Sequence, residues 1–160
     1  MRHAVLCIVL AVSACRGSKQ ETTPVRPQTP KEVVAAARTV VEEWRQAYET
    51  RSFEALAKLY AHDLDLVVVL DGTQLVGWAS VEGMLKDRIT HYKQILVHLK
   101  DIQVAALGPK AATATATMTR ELGDGTTTIT ENGALTFVLR RDGENWLVAV
   151  EHYSYKRGGR

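Results

Sequence analysis

The chain has 160 residues, of which 46% are hydrophobic, and a formal net charge of +2 at pH 7, from 20 Lys and Arg against 18 Asp and Glu. This near balance argues against nucleic acid as a partner, because phosphate binding depends on clustered basic residues. The two cysteines, Cys7 and Cys15, argue against a fold built on disulfides. Residues 30 to 160 fit one domain, which can bury about two thirds of its unfolded surface without a metal or a crosslink.

The first residues, MRHAVLCIVLAVSAC, have the layout of a secretory signal: a basic start, an apolar stretch from Ala4 to Val12 and small residues before a cysteine. The stretch is shorter than the roughly 20 apolar residues that a membrane-spanning helix needs. Its end, VSAC, resembles the bacterial lipobox, which implies cleavage after residue 14 and lipid on Cys15. An ordinary signal peptide that is cut nearby is the alternative.

The segment RGSKQETTPVRPQTP, residues 16 to 30, has three prolines and no apolar period, so we assign residues 15 to 29 to the lipidated cysteine and a flexible tether. The lipobox resemblance implies a partner, the lipid bilayer, through acylated Cys15. Because arginine, and not aspartate, follows this cysteine, the expected location is the bacterial outer membrane, with the domain facing the periplasm.

Three amphipathic segments predict three helices. A capping box of Thr29 and Glu32, with Pro30 in the first helical position, opens the first. Ser52 can cap the second, FEALAKLY, and Gly77 precedes the third, WASVEGMLKDRITHYKQ. The inner residues expected on the first helix are Val33, Ala37, Val40, Val41, Trp44 and Tyr48, and those on the third are Trp78, Val81, Leu85, Ile89 and Tyr92.

Two short strands and four long ones are also predicted. The run LDLVVVL ends at Asp71-Gly72, a strong hairpin signal, and a brief strand returns through Gln74 to Val76. Three long segments follow, at about 95 to 107, 110 to 122 and 126 to 141, and Asp142-Gly143 turns the chain into the last strand.

Two of these strands have unusual compositions. AATATATMT, residues 111 to 119, alternates alanine with threonine, so its alanine face leaves space either for close helix packing or for a small ligand. We favour close packing, because empty apolar volume is costly. In the next strand, Glu131-Asn132-Gly133 predicts a bulge or a bend.

The order of helix, helix, two short strands, helix and four long strands predicts an α+β fold, in which a curved antiparallel sheet of about six strands packs on three N-terminal helices as a cone. The segments AYETRSFEALAKLYAHDLDLVV, GWASVEGMLK and GALTFVLRRDGENWLVAVEHYS resemble the SnoaL-like branch of the nuclear transport factor 2-like superfamily. The resemblance covers nearly all of residues 33 to 155. We therefore place a SnoaL-like domain at 30 to 156 and a disordered basic tail at 157 to 160.

The resemblance speaks against steroid isomerase chemistry. Steroid isomerases of this superfamily use a carboxylate base and an oxyanion-stabilising tyrosine, and an ungapped count from LYAHD puts these positions on Val68 and Trp44. Valine cannot accept a proton. The nearest carboxylate, Asp65, is expected on the other face of its strand or at the strand end.

The last strand, WLVAVEHYSY, predicts one candidate catalytic residue. Strict alternation places Trp146, Val148, Val150, His152 and Ser154 on one face, towards the cavity, with His152 near its mouth as a candidate base or donor. A core histidine held by one hydrogen bond is the alternative. Val150 replaces the first member of the histidine pair of many SnoaL-like sequences, so we expect no metal and no cofactor.

The remaining pocket candidates come from the helices and are Trp44, Tyr48, Tyr60, Trp78 and Tyr92. On the same alternation, Glu151, Tyr153 and Tyr155 fall on the opposite face, with a possible homodimer through the sheet. Two hypotheses follow. The first is a membrane-anchored periplasmic module without catalysis, which binds a small apolar ligand or another protein. The second is an isomerase, dehydratase or cyclase that uses His152.

Overall fold

The computed structural model describes residues 26 to 158. The elements are α1 (Pro30–Glu49), α2 (Phe53–Leu59), β1 (Val67–Leu70), β2 (Thr73–Val76), α3 (Trp78–His91), β3 (Gln94–Gly108), β4 (Ala111–Gly123), β5 (Thr128–Asp142) and β6 (Asn145–Gly158). The strands form one curved sheet in the order β2-β1-β6-β5-β4-β3. The predicted α+β fold of three helices and six strands is confirmed, although β1 runs parallel to β6 and only the other pairs are antiparallel.

The predicted leader, Cys15 and most of the tether lie outside the described residues. Within those residues, no helix is both long and apolar enough to cross a bilayer.

Local sequence signals set the helix starts. At α1 the Thr29 hydroxyl accepts from the Glu32 backbone N–H, and the Glu32 carboxylate accepts from the Thr29 N–H at 2.7 Å, so the capping box is confirmed. The Thr29 N–H, the Arg26 guanidinium and the Thr29 hydroxyl lower the pKa of Glu32 to about 2. Ser52 caps α2 by accepting from the Ala55 N–H at 3.2 Å.

The core lies between the helices and the concave face of the sheet. All six residues expected on the inner side of α1 are buried. The helix packs on β3 and β4, where Ala112, Ala114 and Ala116 are buried while the threonines between them are half-buried or exposed. Small side chains on β4 therefore let the sheet and helix approach each other closely.

The β1–β2 hairpin has the predicted two-residue turn. Asp71 and Gly72 both have positive φ, 49° and 77°, which matches the twist of the two strands. Positive φ is accessible to glycine and is tolerated by aspartate better than by most residues. The hairpin therefore forms where the dipeptide predicts it.

Irregular pairing bends the long strands, but not where the sequence suggests a bulge. The β5–β6 pairing runs without a shift through Gly133, which lies opposite Tyr155. A Cβ at Gly133 would lie 1.9 Å from the Ser154 carbonyl oxygen, so glycine is needed there for close approach of two backbones. Of the bulge or bend predicted at Glu131-Asn132-Gly133, the bulge is therefore wrong.

The bulge in this strand pair lies on β6, and it reverses the alternation of that strand. Val138 pairs with Val150 and Leu139 with Val148, so three residues of β6 oppose two of β5. Trp146 and Val148 face the core as predicted. Beyond the bulge, Glu151 and Tyr153 are buried, whereas His152 and Ser154 are exposed.

Three sequence expectations for β6 are therefore wrong. His152 and Ser154 point away from the interior, and Val150 is half-buried beside them, because the extra residue shifts the later side chains to the other face. Glu151 and Tyr153 face the core, not a free outer surface. The strand also continues to Gly158, so Arg157 belongs to β6 and not to a disordered tail.

Candidate functional site

A group of polar side chains lies inside the cone, and we call it the polar cluster; its members are Trp44, Tyr48, Tyr60, Arg88, Arg120, Glu131 and Glu151. All of them are buried except Arg88, which is half-buried. Glu151 is fully buried on β6, where it pairs with Val68 of β1 and Phe137 of β5. The Tyr60 hydroxyl donates to Glu151 Oε2 and accepts from the Trp44 Nε1–H at 2.8 Å. Glu151 thus brings a carboxylate next to the strand position where Val68 supplies none.

The chemistry of Glu151 follows from its burial. Removal from water raises the pKa of the carboxyl group, while the Tyr60 hydrogen bond and the charges of Arg120 and Arg88 act in the opposite direction. Burial, followed by the nearby Glu151 charge, raises the pKa of Tyr60 well above its ordinary value. The pair therefore holds its protons more firmly than it would in water.

A buried ion pair crosses from β4 to β5. Arg120 and Glu131 are directly opposed in the sheet, and both side chains are 0% exposed. Arg120 Nε and Nη2 donate to Glu131 Oε2 at 2.9 and 2.6 Å, and Arg157 Nε donates to Glu131 Oε1 at 3.3 Å. The Arg120 guanidinium also lies 4.9 Å from the centre of the Tyr153 ring.

Several atoms of the polar cluster have unused hydrogen-bonding capacity. Tyr48 Oη, Arg88 Nη1, Arg120 Nη1 and Glu151 Oε1 are buried and have no partner among the described residues. Such an atom typically costs about 1–3 kcal/mol. The charges of Arg88 and Arg120 oppose the rise that burial and Glu151 cause in the pKa of Tyr48, so these groups lie close together. These four atoms could therefore form hydrogen bonds with a polar group of a bound molecule.

Next to the polar cluster lies an open pocket of about 560 Å³, which we call the α3 cleft. It lies between α3, the β1–β2 hairpin and the end of β6. Its lining residues are Leu70, Asp71, Thr73, Leu75, Met84, Asp87, Arg88, His91, Tyr92, Tyr155 and Arg157. Arg88 belongs both to this wall and to the polar cluster, so its guanidinium connects the cleft with the interior. A pocket of this volume can take a small molecule.

The structure places the sequence-predicted pocket residues in four different surroundings. Trp44, Tyr48 and Tyr60 lie together inside the cone. Tyr92 lines the α3 cleft, while Trp78 is half-buried and stacks on His62 at 3.9 Å between ring centres.

The other three candidates, Val150, His152 and Ser154, are on the outer face of β6. Asp65 is exposed before β1. His152 therefore does not share a pocket with Tyr48 and Tyr60, contrary to the prediction from the sequence.

Sequence reasoning missed the charged members of the polar cluster. The alternation that buries Ala114 and Ala116 also places Arg120 on the concave face, and the spacing back from Leu135 does the same for Glu131. These two residues could have been found from periodicity. Glu151 could not, because its orientation depends on the bulge before it.

No group of three or more His, Cys, Asp or Glu residues is placed to hold a metal ion within residues 26 to 158.

Comparison with solved structures shows the fold of known relatives. A protein of Streptomyces avermitilis, described as a candidate dehydratase of the NTF2-like family, superposes with a TM-score of 0.73 at 23% identity, over 80% of this chain and 99% of that one. A candidate scytalone dehydratase of Novosphingobium aromaticivorans gives 0.71 at 12%, over 79% and 86%. A hexachlorocyclohexane dehydrochlorinase of Novosphingobium barchaimii gives 0.66 at 11%, over 78% and 88%.

Sequence comparison gives the family directly. No curated protein matches the chain. The family model of the SnoaL-like domain matches residues 37–157, which is most of the sequence and covers the whole sheet except the last residue of β6. The chain therefore belongs to the SnoaL-like domain family.

Proposed function

We propose that this protein is a ligand-binding domain of the bacterial cell envelope, anchored by lipid on Cys15, which takes a small molecule into the α3 cleft. The observation that carries the proposal is the cleft itself, whose lining combines the apolar Leu70, Leu75 and Met84 with polar side chains. Among the polar side chains is Arg88, which also belongs to the polar cluster and has a buried nitrogen without a partner among the described residues. Ligand sites commonly combine apolar walls with a few such convergent polar groups.

The position of the cleft agrees with an anchor at the N-terminus. The described chain begins beside the start of β6, where the Arg26 carbonyl accepts from Arg141 at 2.9 Å and the Gln28 side chain accepts from Trp146 at 3.0 Å. Tyr155 and Arg157, at the other end of β6, line the cleft. A membrane attached through the N-terminal segment would therefore leave the cleft open to a ligand from the periplasm.

Binding of a neutral apolar dye, N-phenyl-1-naphthylamine, tests the cleft. We expect its fluorescence to rise on binding to the parent protein, and Met84→Trp to weaken binding by roughly 10-fold or more because the larger ring fills the pocket. Lys58→Trp is the matched control, since it adds the same ring on the exposed side of α2. No binding to the parent, or equal loss in both variants, would refute the proposal.

The anchor has its own experiment. Expressed in a bacterial host, the full chain should fractionate with membranes, and mass spectrometry should find acyl groups on the N-terminal cysteine. Cys15→Ser should release the protein into the soluble fraction. A soluble parent protein without lipid would refute anchoring while leaving the ligand-binding proposal to the dye experiment.

A second candidate function, an enzyme that moves protons, is favoured by one observation. Glu151 is a buried carboxyl group with a raised pKa and an unpartnered oxygen, as general acids and bases often are. Structural neighbours are described as dehydratases and dehydrochlorinases. Glu151 is not on the wall of the α3 cleft, however, so we place binding first. For an enzyme, Glu151→Gln should abolish turnover of a bound substrate while preserving its affinity; a variant with full turnover would end this proposal.

A further inference from the structure

The arginines around the cone differ in their partners. Arg120, which is buried, and Arg157, which is more than half exposed, share the carboxylate of Glu131. The ion pairs among the described residues include Arg120 and Arg157 but not Arg88. Of these three arginines, Arg88 alone lacks a carboxylate within ion-pair distance.

The unmatched hydrogen-bond donors point to the same chemistry. Arg88 Nη1 and Arg120 Nη1 can only donate, whereas Tyr48 Oη lies beside Arg88 and can donate or accept. A carboxylate supplies two acceptor oxygens in the planar geometry that a guanidinium matches best. A neutral group such as an amide would fill the same space but would leave the Arg88 charge without a carboxylate partner.

A ligand in the α3 cleft would reach these donors through Arg88. Its side chain lines the α3 cleft, while the charges of Glu131 and Glu151 act on it from the interior. The apolar residues Leu70, Leu75 and Met84 line the same cleft. A ligand with an apolar body and a terminal acid could therefore lie against these three residues and turn its head towards Arg88.

The mouth of the cleft offers a competing possibility. Asp71 and Asp87 are both exposed there, and they would attract a cation. Exposed carboxylates act through water, which weakens their field. The buried and unpaired Nη1 of Arg88 is screened much less, so the interior charge should decide which ligands are selected.

We propose that the ligand of the α3 cleft is a small organic acid, an apolar molecule with one carboxylate whose oxygens accept hydrogen bonds from the Arg88 guanidinium. This inference rests on the proposed ligand-binding function and adds its chemical class. Arg120 and Tyr48 extend the same donor surface inward. Arg157, which is more than half exposed, contributes charge at the rim.

A matched series of three probes tests the inference by isothermal titration calorimetry: 4-phenylbutanoate, 4-phenylbutanamide and 4-phenylbutylamine. They share one apolar body and carry an anionic, a neutral and a cationic head. We expect the acid to bind the parent protein about 10-fold to 100-fold more tightly than the amide, because one charge-assisted hydrogen bond contributes about that much affinity. The amine should bind most weakly. Equal binding of acid and amide, tighter binding of the amine, or no binding of any probe would overturn the proposal.

Variants locate the effect. Arg88→Gln should bring the affinity of the acid down to that of the amide and leave amide binding unchanged. Lys86→Gln is the control, because it removes the same charge from an exposed position on the same helix and should keep the preference for the acid. Circular dichroism checks that each variant is folded, and Arg88→Lys, which keeps the charge but loses the planar fork, is the second variant if Arg88→Gln unfolds.

The two proposals fail separately. A preference for the acid that survives in Arg88→Gln, or is equally lost in Lys86→Gln, refutes the role of Arg88 while the naphthylamine dye still reports on the cleft. If the parent binds neither the dye nor any probe, the ligand-binding function itself is wrong.

Discussion

Breaking the buried pair between Arg120 and Glu131 should destabilise the fold by an amount that depends on which partner is removed. Loss of one member of a buried ion pair typically costs about 3–5 kcal/mol, because the other charge stays buried without compensation. Arg120→Met leaves Glu131 with Arg157, whose side chain is 58% exposed, so we expect about 3 kcal/mol. Glu131→Leu leaves Arg120 fully buried with no carboxylate within ion-pair distance, and we expect about 5 kcal/mol.

Urea denaturation at pH 7, followed by far-ultraviolet circular dichroism, measures these free energies of unfolding. The double variant should be more stable than the sum of the two losses predicts, by about 2 kcal/mol or more, because neither charge is then left alone. Lys86→Gln at the exposed pair with Glu82 should cost less than about 1 kcal/mol. If both buried variants also cost less than 1 kcal/mol, or if Arg120→Met costs more than Glu131→Leu, the argument from uncompensated charge is wrong.

Three further variants make separate predictions. Gly133→Ala should lower the free energy of unfolding in urea by more than about 3 kcal/mol, because the added Cβ meets backbone atoms that cannot rotate away. Gly83→Ala on α3 is the control; its added Cβ has nothing within 4 Å, so it should stabilise the protein by about 0.5–1 kcal/mol. Equal effects of the two substitutions would contradict the close approach at Gly133. Burial raises the pKa of Glu151 above its ordinary 4.5, so the stability that the protonated carboxyl contributes is complete below about pH 4.5 and is lost as the pH rises through the folded-state pKa. The free energy of unfolding of Glu151→Gln, relative to that of the parent, should therefore increase from pH 4 to pH 8. A difference that does not change with pH would refute this linkage. His152→Ala should change stability by no more than about 0.5 kcal/mol and leave dye binding intact, and a loss of binding would show that the outer face takes part.

Much of the fold could be predicted because its signals are local. The capping box at Thr29, the hairpin dipeptide at Asp71-Gly72 and the apolar stripe of α1 each act within a few residues, and each has the predicted structure. The ends of β3, β4 and β5 were also predicted to within two residues, whereas β6 continues three residues beyond the predicted run. Propensities and turn chemistry determine where an element begins and ends, so these features need no knowledge of their neighbours.

The candidate site could be predicted only in part. Trp44, Tyr48 and Tyr60 follow from helix periodicity and the resemblance, and Arg120 lies on the face that strict alternation gives it. That a buried arginine is tolerated depends on Glu131, which the register of two distant segments places opposite it. Register is a property of the assembled sheet, so the pair is not visible in either segment alone.

The sequence by itself determined which segments become helices and strands, and with them the family. The tertiary structure alone decided which side chain of the last strand enters the cone. A strand that pairs evenly would bury His152, but the pairing of β6 with β5 accommodates one extra residue before Val150 and turns Glu151 inward instead. Alternation is a local rule, whereas a bulge arises from fitting two strands to one curved sheet, and a single unpaired residue exchanges the two faces for the rest of the strand.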